Sequence, residues 1–228
     1  MKRNIMAITL SLCSLALAKA QSSDVGQWSV TPRLGVSIAK MSDAVLSVSV
    51  DDNLSPRNRT GLVAGADIAY RLTNRLGFTF GALYTENGCR YPVYSNVDEN
   101  GEGTGYDKVD IKLQYVNFPL LVEGYLVDGL AVKAGVQVGY LVNSKTSMTT
   151  RSISKDNEGN TVYGKEETTT SDYGIARKVN LSIPIGLSYE YMNVVLDARY
   201  NIGITRIDKF TDSKNRFFTL TVGYRFAL

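Results

Sequence analysis

VNLSIPIGLSYEYMNVVLDARYNIGI, residues 179–204, places an apolar side chain at nearly every second position and changes phase only at Met192-Asn193. A repeat of two is the period of a strand, so the stretch reads as two strands joined by a tight turn, each with one apolar and one polar face. The fold then depends on what the apolar row meets. The same alternation suits the dry inside of a secreted barrel and the lipid-facing outside of a membrane barrel.

Six further segments beyond residue 20 carry the same period, and none carries a helical one. WSVTPRLGVSI (28–38) sets Trp28, Val30, Leu34, Val36 and Ile38 against Ser29, Thr31, Arg33, Gly35 and Ser37. Segments over 62–72, 76–85, 116–123, 130–140 and 217–228 alternate in the same way. A change of phase near Tyr115 suggests a bulge, and Pro119 and Pro184, each lacking a ladder donor, also read as local bulges.

The connections follow a rule. Those around Thr73-Asn74, Asp128-Gly129 and Met192-Asn193 are tight; those over 41–60, 88–109, 143–178 and 207–215 are long and polar. Short turns at one end and long loops at the other mark an outer-membrane barrel, with turns in the periplasm and loops outside the cell. Turn-like Asp98-Glu99-Asn100-Gly101 and Asp156-Asn157-Glu158-Gly159 suggest that two of the loops are themselves hairpins.

Ahead of the strands, Lys2 and Arg3 precede an apolar run from Ile5 to Ala18, and Ala18-Lys19-Ala20 forms a small-x-small site. Residues 1–20 read as a cleaved signal peptide and 21–228 as one barrel domain. Removing Lys2, Arg3 and Lys19 from 25 basic residues leaves 22, against 22 acidic ones. A near-neutral mature chain offers nucleic acid no electrostatic footprint. Cys89 is then the one remaining cysteine, so no intramolecular disulfide is expected. The chain has no histidine, which removes Ser-His and Cys-His catalysis and most zinc sites; no catalytic centre, metal or cofactor is expected.

The polar face carries Arg33, Asp67, Arg71, Arg75, Glu123, Lys133, Glu190, Asp197, Arg199 and Arg225 among many Gly, Ser and Thr residues. In a barrel of eight strands, just wide enough for side chains to fill, Arg33, Asp67, Arg71, Glu123, Lys133, Glu190, Asp197, Arg199 and Arg225 are expected to form a pairing network rather than a pore. Aromatic residues cluster at both ends of the apolar face. Trp28, Tyr70, Tyr189, Tyr191, Tyr224 and Phe226 lie near the turns, and Tyr84, Tyr140, Tyr200 and Phe218 near the loops. Two such girdles are what lipid–water interfaces select.

At YVNFPLLVEGYL (115–126), with VKAGVQVGYLV (132–142) after its Asp-Gly turn and VGYRFAL closing the chain, the sequence resembles the PorT-like outer-membrane β-barrel family of the Bacteroidota. The resemblance implies an integral outer-membrane barrel, and association with a secretion and gliding apparatus is one role known in that family. The expectation is an all-β, eight-stranded antiparallel up-and-down transmembrane barrel. Its partners are outer-membrane lipid, the barrel insertion machinery and an unidentified extracellular or periplasmic molecule, and it acts as a monomer through its loops. The alternative is a secreted lipocalin-like barrel holding a small apolar ligand, for which Gly26-Gln27-Trp28 supplies a Gly-x-Trp.

Overall fold

A computed structural model describes residues 25–42, 46–47, 53–98, 100–156, 158–172, 174, 176–207 and 212–228. The expected signal peptide lies outside the described residues. Eight long strands follow one another: β1 (Trp28–Ser42), β2 (Arg59–Arg71), β3 (Leu76–Tyr91), β4 (Gly103–Val127), β5 (Leu130–Lys155), β6 (Val179–Tyr191), β7 (Val194–Arg206) and β8 (Lys214–Tyr224). Each pairs antiparallel with the next, and β8 pairs with β1 from Arg33↔Gly223 to Ser42↔Lys214, so the ring closes and leaves no free edge. Phe226–Ala227 continues β8 opposite Ser29 and Val30.

The apolar rows face outward. Leu34 is 56% exposed and Leu220 41%, whereas Arg33 is 6% exposed and Thr221 3%. Apolar outside and polar inside is the arrangement for lipid and the reverse of a lipocalin.

The tight turns follow from local chemistry. Met192 and Asn193 both have positive φ (46° and 67°), the two-residue hairpin whose twist matches that of the flanking strands. Thr73 Oγ1 accepts from the backbone N–H groups of Arg75 and Leu76, holding the β2–β3 turn.

Prolines interrupt pairing without bulging it, which corrects the sequence expectation. On β3 the register runs from Phe80↔Leu120 to Leu83↔Asn117 across Pro119, and on β5 from Ala134↔Ile185 to Gln137↔Ser182 across Pro184; each sum is constant. One ladder loses its donor while the other pairing of each proline, Pro119↔Gln137 or Pro184↔Asn201, remains.

Near Tyr115 the expected bulge is present, and the two faces of β4 change character at the same height. Leu113, Tyr115, Asn117 and Glu123 all stay on the inner face of β4. A register shift does lie there, from Gln114↔Asn143 to Tyr115↔Leu141, but the extra residue is Val142 on β5. What changes at Tyr115 is which side is apolar. Val116, Phe118, Leu120 and Val122 point outward, while Val109, Ile111, Leu113 and Tyr115 point inward.

Two of the long connections, 88–109 and 143–178, are largely strand. β3 stays paired with β4 to Tyr91↔Val109, Tyr94–Val97 then pairs with Gly103–Tyr106, and β4 with β5 out to Gly103↔Ile153. On the other side of β5, Thr161–Tyr163 and Glu167–Asp172 pair back along it. The two hairpins therefore form one sheet continuous with the barrel wall. Their tips have the same construction: Asp98 Oδ1 accepts from the backbone of Asn100 and Glu102, and Asp156 Oδ1 from that of Glu158 and Asn160. Those backbone donors hold both exposed carboxyls below the usual range.

Candidate functional site

Five strands send charges into the middle of the lumen. Arg199 of β7 lies 2.6 Å from Asp67 of β2 and 2.6 Å from Asp197 of its own strand. Arg33 of β1 meets the same two carboxylates at 2.7 and 3.2 Å. Lys133 of β5 bridges Asp197 at 3.0 Å and Glu123 of β4 at 2.9 Å. Glu123 accepts further hydrogen bonds from Thr79 of β3 and from the Tyr125 hydroxyl.

All six side chains are nearly fully buried, three cations against three carboxylates. Desolvating each ion costs several kcal/mol, so this balance is a condition of the fold and pins five strands to one register. Such a plug fills the lumen with paired charge and leaves the barrel wall intact. Among the described residues no His, Cys, Asp and Glu side chains group to hold a metal ion.

The other three expected members lie toward the turns. Arg225 pairs with Glu190 at 2.9 Å. The Arg71 guanidinium lies 4.4 Å over the Tyr125 ring and donates to the Asn74 carbonyl at 3.2 Å. Arg75, on the polar face by sequence, is exposed in the turn. Tyr125, absent from the expected network, joins its two parts through Glu123 and Arg71; its position two residues beyond Glu123 on the same face was the available signal.

The aromatic residues fall into two bands on the outer surface. Trp28 is the direct cross-strand partner of Tyr70, their rings 4.8 Å apart, and Tyr224 packs on Phe226 at 4.9 Å. Tyr189 and Tyr191 continue this band on β6. At the other end Phe218 pairs with Tyr200, while Tyr84, Val116, Tyr140 and Val179 follow one another across four strands. From Trp28 to Ile38, beside Phe218, β1 climbs roughly 25 Å if tilted at about 40°.

Residues 19–209 match the family described as outer membrane protein beta-barrel domain. The chain belongs to that family. Its location is the outer membrane, and the exposed apolar belt between the aromatic bands lies in lipid. Among solved structures this outer-membrane barrel is similar to Ail, the attachment invasion locus protein of Yersinia pestis, in complex with the heparin analogue sucrose octasulfate. The identity is 16% over 89% of this chain and 100% of that one, with a TM-score of 0.45. It is also similar to OprG of Pseudomonas aeruginosa (12% identity, 89% and 96% covered, TM-score 0.41) and to Neisserial surface protein A (20%, 87% and 96%, TM-score 0.36). No curated protein matches it.

Beyond the loop-end girdle the two faces of this barrel exchange character. Inside, Met41, Cys89, Ile111, Leu113, Tyr115 and Ile207 form an apolar cluster above the charge network. Outside, Glu86 accepts from Tyr84, Gln114 and Lys112, with Lys112 Nζ at 2.7 Å, and Asn143 donates to Gln114. Water replaces lipid at this height, so the polar residues move outward and the apolar ones seal the lumen. Burial works to raise the Glu86 pKa, but Lys112 and the Gln114 and Tyr84 hydrogen bonds outweigh it and hold the carboxyl at about 2. Burial pushes the Cys89 thiol up to about 12. Its Sγ lies 3.5 Å from Met41 Sδ, which makes it a packing residue rather than a nucleophile. The alternation Val109, Ile111, Leu113, Tyr115 was the sequence signal for this cluster.

Proposed function

We propose that the barrel serves as a rigid mount for the sheet above it, and that this sheet contacts other molecules at the cell surface. One observation supports the reading: β4 and β5 stay paired from the turn at Asp128-Gly129 to Gly103↔Ile153, with Tyr94–Val97 and Glu167–Asp172 alongside. A surface that contacts partners gains from being held on a rigid scaffold, because less ordering entropy is lost on binding. The lumen residues hold the mount together and carry no catalytic centre in this reading.

The reading assigns residues 1–20 to an export signal and 21–228 to the barrel domain. It takes VGYRFAL as the segment that the insertion machinery engages, and the closed ring, which leaves no edge for a second barrel, supports a monomer. The stretches YVNFPLLVEGYL and VGYRFAL support a place among PorT-like barrels of the Bacteroidota.

A photo-crosslinking side chain placed at Thr169, on the outer edge of the sheet, tests it against one placed at Asp128 in the turn. Adducts with other macromolecules on intact cells are expected from Thr169. Adducts from Asp128 alone would overturn the surface reading and favour an accessory role on the periplasmic side, in a secretion or gliding apparatus.

A further inference from the structure

Just above the loop-end girdle, β7, β8 and β1 carry an outward-facing arrangement that the lumen network and the sheet do not use. Lys40 and Arg216 are direct cross-strand partners, both exposed on the outer face. Lys214 follows two residues further out on the same face of β8. Among the described residues none of the three has a carboxylate within ion-pair distance. Like charges placed directly opposite on a sheet repel, so this pairing costs stability unless an anion lies between them. The equivalent height on β3 and β4 shows the contrast, because there Lys112 is neutralised by Glu86.

The two cations overhang an open-sided cleft of about 550 Å³. Its lower wall is apolar, made by Ile38, Tyr200 and Phe218, and its upper wall carries Ser55 and Asn58 from the connection before β2. The apolar wall continues the lipid-facing surface downward through Val36 and Leu220. A free anion in water would have no use for that wall. A lipid fits both parts, with acyl chain along Ile38 and Phe218 and phosphate at Lys40 and Arg216. The guanidinium fork matches phosphate oxygens, and lysine supplies the point charge.

We infer that Lys40 and Arg216 bind the phosphorylated headgroup of an outer-leaflet lipid, seated in the cleft between β7, β8 and β1. The site is independent of whatever the sheet contacts.

The test uses the full chain folded into phosphatidylcholine nanodiscs containing diphosphoryl lipid A or its dephosphorylated counterpart, then released and weighed by native mass spectrometry. The wild-type protein is expected to retain one diphosphoryl lipid A and at least tenfold less of the dephosphorylated form. The variant K40Q/R216Q is expected to lose at least tenfold of that retention, while R75Q, at an exposed arginine in the β2–β3 turn, retains as much as wild type. Equal retention of the two lipids by the wild-type protein overturns the inference without reference to any variant. Unchanged retention by K40Q/R216Q overturns it too, as does full displacement by millimolar inorganic phosphate, which would mark a site for a free anion.

Discussion

Gly81 stands directly opposite Asp67 across β2 and β3, and a Cβ added to it would come within 2.1 Å of Asp67 Oδ1. The carboxylate that two arginines share therefore occupies the volume a side chain would take. Arg33 is likewise flanked by Gly65 and Gly223, and Arg199 by Gly186 and Thr219. Small residues beside each long charged one let the network fit a lumen of eight strands.

Gly81→Ala is thus expected to destabilise the barrel by about 1–3 kcal/mol, because Asp67 is pinned and cannot yield cheaply. Urea unfolding in liposomes measures it, and an unchanged midpoint would show that the carboxylate has room to move.

Arg199→Ala removes the cation shared by Asp67 and Asp197. Asp67 then keeps Arg33, Asp197 keeps Arg33 and Lys133, and the expected loss is about 3–5 kcal/mol. Arg225→Ala is expected to cost less, since the Glu190 side chain keeps 19% of its surface in water and Glu123, which Arg225 also faces, keeps Lys133. Equal losses from the two variants would mean that the central six are hydrated.

At the β6–β7 turn, Met192 occupies a left-handed conformation with φ 46°. That conformation costs a residue with a long side chain on the order of 1 kcal/mol, and Asn-Gly is the pair best suited to two positive φ angles. Met192→Asn combined with Asn193→Gly is therefore expected to raise stability by about 1 kcal/mol, read as a higher urea midpoint. A lower midpoint would argue against the two-residue turn.

Glu86, held at about 2, is a carboxyl whose folded pKa lies below its ordinary 4.5. Its contribution to the native state is fully present above 4.5 and is lost as pH falls through about 2. Carbon-13 spectra of the labelled side chain are expected to show one carboxyl, absent in Glu86→Gln, that titrates near the lower value. Titration near 4.5 would mean that the Lys112 and Gln114 contacts do not persist in solution.

Strand count, turn positions and the lipid-facing row were legible in the sequence, because a strand crossing lipid must alternate along its whole length and a tight turn needs residues that tolerate it. The hairpin tips at Asp98 and Asp156 were legible for the same local reason, and so was the set of polar residues that points inward. What sequence reading missed is specific. Pro119 and Pro184 read as bulges because the sequence shows a lost donor and does not show whether a neighbouring ladder shifts to accommodate it. The phase change at Tyr115 read as a bulge, and the ladder does shift there, with Val142 of β5 as the extra residue; what went unread is that the same height is where lipid gives way to water.

The period-two pattern by itself determined that each strand has one apolar and one polar face, since side-chain direction along a strand is set by backbone geometry alone; tight turns at one end, long loops at the other and aromatic residues at both then put the apolar face outside an antiparallel barrel. Only the tertiary structure decided which charges meet: Arg33 and Asp67 with Arg199 at the centre, Arg225 with Glu190 below them, Arg71 over Tyr125. Lys40 facing Arg216 was likewise settled by closure. Those contacts depend on the stagger between strands far apart in the chain, and stagger is fixed when the ring closes, β8 against β1, rather than by any one strand's own sequence.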